Sequence, residues 1–578
     1  MKGTGKMNSL KVFYAVLLIC AVSYGAQTAP ADAAVSQDKA PQGKSIDLLI
    51  NKKYLNFPVK NGAEKRLISL WVDGKKLREF DIELAPQQPD FWVFLDVSKF
   101  HNRKTTLTID RYDEQNDKGF DSVRQADDFP GQDSLYKEKL RPQFHFTSQR
   151  GWNNDTNGMA WYAGEYHLFY QHNPFGWKWG NMTWGHAVSK DLVGWTELGD
   201  AIHPDQLGTI YSGSAVVDEN NTAGFGTGKE KPIVCFYTSA GDKNQWSKGK
   251  PFTQSIAYSN DRGRTWTKYQ GNPVLDNIAG GNRDPKVFWH QPSGQWVMVL
   301  FLRGKELAFL ASDNLKNWQL QSKLESFYEC PELFALPVDG NNKNQKWILY
   351  GGSGDYFVGE FDGKAFAPQT DKIRFQYGNC FYASQTFNNI LETDGRRVQM
   401  AWGKVAMPGM PFNQMILFPV CLTLHTTDDG LRMFVQPVKE IKKLYDKKHK
   451  RKNFVLKPGE NPLKDIAGEL FHIKIRMKAQ NAQSCRLAVR SVDVICRFDN
   501  QTLACLDKSA PLKPADGNIE IEILVDRMSV EIFADGGAVY MPMGVNLADK
   551  PRTLGLLAEG GDIKIESLEV YTLNSIWQ

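Results

Sequence analysis

Hydrophobic residues along this chain come in short runs of five or six, set apart by polar and turn-forming stretches and only once at helical spacing. Runs of that length, rich in β-branched and aromatic residues, predict strands. Five mark the middle of the chain: residues 166–171 (YHLFYQ), 233–238 (IVCFYT), 296–301 (WVMVLF), 347–351 (WILYG) and 398–402 (VQMAW). A second phrase follows three of them. Ser189-Lys190-Asp191-Leu192 runs to Trp195, Ser259-Asn260-Asp261 to Trp266, and Ser312-Asp313-Asn314-Leu315 to Trp318. A unit of roughly 50 to 70 residues, built of several short strands and used repeatedly, predicts the blades of a β-propeller. Counting the strands gives five blades. The competing reading is an irregular β-sandwich in which the Ser-Asp-Trp turns coincide.

Strand patterns also flank the repeats. Residues 45–50, 66–72, 91–95 and 105–109, with Asp73-Gly74 as a turn, predict an N-terminal β-sandwich-like domain over 45–112, followed by a polar connector over 113–139. The propeller then occupies 140–435. Residues 436–448 (QPVKEIKKLYDKK) place Val438, Ile441 and Leu444 on one side and predict a helical linker over 436–452. Alternating strands return at 471–477, 519–525, 529–533 and 563–570, so that 453–578 reads as a C-terminal β-sandwich. The fold class is all-β: a five-bladed propeller followed by a sandwich, with a small extra β-domain in front.

The first 44 residues break this pattern. Lys2, Lys6 and Lys11 precede or open an apolar run over 12–22 that is too short to span a bilayer and fits a signal peptide over 1–25, with cleavage after Gly25 and a disordered leader over 26–44. The expectation is export to the periplasm or the exterior. Cys20, after Leu17-Leu18-Ile19, leaves lipid anchoring open as an alternative. Those three lysines supply most of the net charge of +5, so the remainder gives no support to nucleic-acid binding. No second apolar stretch is long enough for a membrane span. Seven cysteines follow Cys20 without metal-ligand spacing, which argues against a zinc site; Cys485, Cys496 and Cys505 could form one local bridge or remain free. No cofactor is implied, and the oligomeric state is left open.

Three acidic motifs stand in matching places of the repeat: Trp152-Asn153-Asn154-Asp155-Thr156-Asn157-Gly158, Asn282-Arg283-Asp284-Pro285 and Tyr328-Glu329-Cys330-Pro331. Glycoside hydrolysis uses a carboxylate pair, one ionised and one protonated, about 5 to 5.5 Å apart when configuration is retained. Each acid alone is more often a turn or strand-end residue than a functional one. Three at equivalent places of a propeller, whose innermost strands converge on one funnel, point to a shared site. Arg283 offers a charge that would keep Asp284 ionised.

With Gln171-His172-Asn173-Pro174, Trp179-Gly180 and Tyr211-Ser212-Gly213-Ser214 between them, these motifs resemble glycoside hydrolase family 32, the fructan hydrolases and invertases, over roughly residues 140–578. The resemblance implies Asp155 as nucleophile, Glu329 as general acid/base and Asp284 as transition-state stabiliser. Asn154, Gln171, Trp179, Ser212 and Arg283 would hold a terminal fructose, and fructan or sucrose would be the substrate. The implied activity is retaining, most simply exo-acting, hydrolysis of levan, inulin or sucrose; alternatives on the same acids are an endo-levanase, a fructosyltransferase and a non-catalytic fructan-binding protein. Asn153 and Thr156 depart from the usual Met and Pro of the first motif, and Cys380 and Cys421 stand where Asp and Glu are common. These departures bear on which linkage and chain length are preferred.

Overall fold

Three of the five apolar runs each follow the inner strand of a sheet and pair with it. A computed structural model describes residues 43–514 and 517–577; the expected signal peptide, Cys20 and nearly all of the leader lie outside them. Glu165–Asn173, Ile233–Ala240 and Gln295–Arg303 are buried along almost their whole length, and a strand covered on both faces has no polar side to show in sequence. The strand before each run is the more polar one: Gly151–Tyr162, Thr209–Val217 and Arg283–His290. It lies at the inner edge of its sheet, with only the short Phe412–Asn413 beyond Gly151–Tyr162, and these inner strands pack on one another from sheet to sheet. The acidic motifs therefore lie on or beside the inner strands, while the apolar runs sit one position outward.

The repeated Ser-Asp-Trp phrase is one turn used three times. Asp191 Oδ1 accepts the Val193 and Gly194 N–H groups, Asp261 Oδ1 those of Arg264 and Thr265, and Asn314 Oδ1 those of Lys316 and Asn317. The indole N–H of Trp195, Trp266 or Trp318 then donates to the carbonyl three residues before it. Phe412–Asn413 returns to pair in parallel with Gly151–Trp152, tying the end of the propeller to its beginning. Beyond the first three sheets, the strands from Glu332–Val338 to Gly430–Pro437 join through a Val338–Leu424 bridge into one nine-stranded sheet. The sheets alone thus do not count out five blades.

The N-terminal domain packs the sheet of Lys44–Leu49, Lys104–Ile109, Lys65–Val72 and Lys75–Glu83 on that of Phe91–Asp96, Tyr54–Val59 and Arg124–Ala126. The last strand comes from the stretch expected as a connector, so the domain continues past residue 112. At the C-terminus, a six-stranded and a five-stranded sheet enclose a second core that includes Ile473, Leu487, Ile523 and Leu556. Cys485, Cys496 and Cys505 are all free.

The expected helical linker is corrected. Only Lys439–Leu444 coils, as a 3₁₀ helix, and Tyr445–Leu456 is a long strand paired with Ile563–Leu573. Val438, Ile441 and Leu444 recur every third residue, which is the 3₁₀ period and not the 3.6 of an α-helix.

Candidate active site

The inner strands carry a register break at each functional position. Pairing with the second strand slips between Asn153 and Thr156, between Tyr211 and Gly213, between Arg283 and Lys286, and between Tyr382 and Gln385. A bulge re-aims one side chain that a regular strand would alternate away, and these breaks release Asp155, Ser212, Asp284 and Ala383. The backbone is left-handed at Asp284, Glu329, Cys330 and Ala383 (φ +64°, +35°, +49° and +44°), a conformation that costs a non-glycine residue about 1 kcal/mol or more.

One chain of contacts joins the three carboxylates. Ser212 Oγ donates to Asp155 Oδ2 at 2.6 Å, and the Asn154 amide lies 3.4 Å from Asp155 Oδ1. The Cys330 N–H donates to Asp284 Oδ2 at 3.0 Å, and its thiol sits 3.8 Å from Asp155 and 3.6 Å from Asp284. Burial pushes that thiol well up, so it stays protonated between the two acids. Arg283 grips Glu329 Oε2 at 2.7 and 3.1 Å, and the Tyr382 hydroxyl donates to Glu329 Oε1 at 2.8 Å. Burial, with the charges of Asp284 and Glu329 added, pushes Asp155 up to about 7. Burial and Glu329 likewise push Asp284 up to about 6, against the opposing pull of Arg283.

The expected pairing of Arg283 with Asp284 is thus secondary. Its nearest nitrogen is 3.7 Å from Asp284, whereas its short contacts go to Glu329. Tyr328 and Phe301 hold the guanidinium in place, Tyr328 through its hydroxyl at 3.1 Å and Phe301 through its ring face at 4.4 Å.

The other expected binding residues divide into two groups. Asn154 and Ser212 touch Asp155 directly. Trp179 stands on the rim, 49% exposed, with its ring edge-on to Tyr211 at 6.0 Å. Gln171 is buried, and its amide donates to the Ile210 carbonyl at 2.9 Å, which holds the strand bearing Ser212. Tyr382 and the bridging role of Cys330 were not singled out from the sequence. The signal for Tyr382 was its place in 380–385, ahead of the fifth apolar run just as the acids are ahead of theirs.

Two of the unusual residues, Thr156 and Cys380, find partners close by. Thr156 donates to the carbonyl of Ala383 at 3.2 Å, tying the first inner strand to the one that bears Tyr382. Cys380 turns away toward the Pro542 carbonyl of the C-terminal sandwich. Among the described residues no group of three or more His, Cys, Asp or Glu is arranged to hold a metal ion. A cavity of about 1160 Å³ lies elsewhere, between propeller and sandwich beside Tyr356, Tyr377 and Arg476.

A β-propeller with acids gathered from separate repeats beside hydroxyl, amide and guanidinium donors is the architecture of a glycoside hydrolase. Residues 145–435 match the model of the glycosyl hydrolases family 32 N-terminal domain and residues 440–572 that of the family 32 C-terminal domain; the chain belongs to glycoside hydrolase family 32. Residues 45–144 match a family described as a domain of unknown function. A levanase of Bacillus subtilis (strain 168) is 39% identical over 495 residues, 77% of this chain and 72% of that protein. An extracellular exo-inulinase of Aspergillus ficuum is 32% identical over 522 residues, 76% of this chain and 96% of that one. Among solved structures, the exo-inulinase of Aspergillus awamori is similar at a TM-score of 0.69 and 30% identity, with 76% of this chain covering 100% of that chain. The fructofuranosidase of Schwanniomyces occidentalis complexed with fructose is similar at 0.69 and 29%, covering 76% and 99%.

Proposed function

We propose that the protein is an exported, exo-acting β-fructosidase that releases fructose from levan, inulin or sucrose with retention of configuration. The observation that carries this reading is the single network in which Ser212, Cys330 and Arg283 link Asp155, Asp284 and Glu329. Asp155 is the nucleophile: its carboxylate attacks the anomeric carbon while Glu329 donates its proton to the departing oxygen, leaving a fructosyl ester on Asp155. Water then gives a proton to Glu329 and its oxygen to the anomeric carbon, which frees fructose and regenerates both acids. Asp284 stabilises the positive charge that develops on the ring. Asn154 and Arg283 bind ring hydroxyls, and Trp179 covers an apolar sugar face.

Exo action is favoured by the near full-length likeness to exo-inulinases. Export is favoured by the lysine-led apolar run at the N-terminus and by the extracellular description of that relative; among the described residues no helix is long and apolar enough to cross a membrane. A five-bladed count remains part of this proposal. Purified protein incubated separately with levan, inulin and sucrose tests the reading through its products over time. Fructose as the first product from at least one substrate is expected. Early oligosaccharides would replace exo with endo action, growing chains would indicate transfer, and unchanged substrate in all three would remove the reading.

A further inference from the structure

The N-terminal domain matches only a family of unknown function, and the Aspergillus awamori exo-inulinase is covered end to end by 76% of this chain. Its strand Lys75–Glu83 lies at the edge of its sheet, and an exposed edge has main-chain groups in need of partners. Two propeller loops dock on this strand, one on its main chain and one on a side chain. In the loop between Glu165–Asn173 and Thr183–Ser189, the Asn181 side chain both accepts from the Asp81 N–H and donates to the Asp81 carbonyl, each at 2.8 Å, as a neighbouring strand would. In the loop between Ile233–Ala240 and Phe252–Ser259, the Trp246 N–H donates to Glu79 Oε1 at 2.7 Å. The Glu79 side chain is 1% exposed and is held by Lys76 at 2.6 Å. The first loop also plants Phe175 in the core of the N-terminal domain, stacked on Phe80 with ring centroids 3.6 Å apart.

Both docked loops lead to the rim of the acid pocket. Trp179 lies two residues before Asn181, and its ring meets Tyr211 at 6.0 Å; Tyr211 in turn meets Phe252, the residue that ends the second loop, at 5.5 Å. Tyr211 adjoins Ser212, which donates to Asp155. The outer ends of this aromatic wall are thus fastened by one strand of another domain.

We propose that the N-terminal domain is a positioning element of the fructoside site: through Glu79 and the Asp81 main chain it clamps the two loops that carry the Trp179–Tyr211–Phe252 wall. This rests on the fructan reading for the ligand, but the clamp itself does not. A loose wall must be ordered by each substrate as it binds, which costs affinity without touching the chemical step.

The test compares Glu79→Ala and Glu79→Gln in the full chain, the latter retaining an oxygen for the Trp246 N–H. Two readouts are needed: hydrogen exchange of the loops, and kinetics on whichever fructoside the wild type cleaves. Glu79→Ala is expected to speed exchange in 174–182 and 241–252 but not in 151–162, and to raise KM about three- to tenfold with kcat within about twofold. Glu79→Gln is expected to restore both, and Glu79→Ala is expected to add nothing to the KM of Trp179→Ala. Should Glu79→Ala not fold, Asn181→Gly serves in its place, since it removes the paired bonds and accepts the left-handed backbone at that position (φ +47°). Unchanged exchange in both loops would overturn the clamp, and faster exchange with unchanged KM would overturn its part in binding. A wild type that cleaves none of the three sugars would sink the fructan reading, while exchange would still decide for or against the clamp.

Discussion

A carboxylate removed from water resists ionisation, and two carboxylates so removed beside a third share their protons as a group. Asp155 is pushed up to about 7 and Asp284 to about 6, so in the free protein both keep their protons to higher pH than ordinary aspartates. The proposed reaction needs both ionised, Asp155 to attack and Asp284 to stabilise positive charge. kcat/KM is therefore expected to fall as pH drops through about 7 and then 6, read from steady-state rates; a rate unchanged from about pH 8 to pH 5 would contradict it. The acids were legible in the sequence because they recur at matched places in a repeat. Tyr382 was not, because a tyrosine at the start of a strand is common in any β-core, and only its 2.8 Å contact with Glu329 separates it from one.

At the scale of single elements, the apolar second strands could be read directly because burial on both faces removes every polar position. The inner strands were hidden for the opposite reason: Gly151–Tyr162 begins GWNNDTN, since it faces the pocket. Tyr54–Val59 was also missed, interrupted as it is by Asn56 and Pro58. The bulges that aim the site left no mark that composition or periodicity could reveal. Gly213 shows what one of them demands. A Cβ there would lie 2.0 Å from the Phe236 carbonyl oxygen, so Gly213→Ala must shift the strand that carries Ser212. We expect a loss of kcat of about tenfold or more from the misplaced Ser212–Asp155 bond, with destabilisation of roughly 1–3 kcal/mol, measured by kinetics alongside thermal melting. Wild-type kcat in this variant would mean that the bulge does not position Ser212.

Across the whole molecule, propeller and C-terminal sandwich meet at a buried cluster. His145 Nδ1 lies 2.8 Å from Asp526 and Nε2 2.6 Å from Glu531, which also accepts from the Tyr540 hydroxyl at 2.6 Å. Burial alone would lower the imidazole, but the two carboxylates outweigh it and push His145 up to about 9 from an ordinary value of 6.5. A group raised on folding stabilises fully below its unfolded value and loses that contribution as pH rises through its folded one. Stability is therefore expected to fall by about 3 kcal/mol between pH 6.5 and 9 from this group, a drop in melting temperature that His145→Gln should flatten; an equal drop in that variant would assign it elsewhere. The division into an N-terminal β-domain, propeller and sandwich was legible from strand patterns, but how they join was not, because Asn181, Glu79 and His145 look like ordinary polar residues until the fold brings their partners to them. The central claim, that Asp155 is the nucleophile of a fructose-releasing hydrolase, is tested most directly by fructose release from levan, inulin and sucrose by wild type and Asp155→Asn at matched thermal stability. The account predicts fructose from the wild type on at least one of them and a loss on the order of a thousandfold or more in the variant; comparable release by both proteins would contradict it.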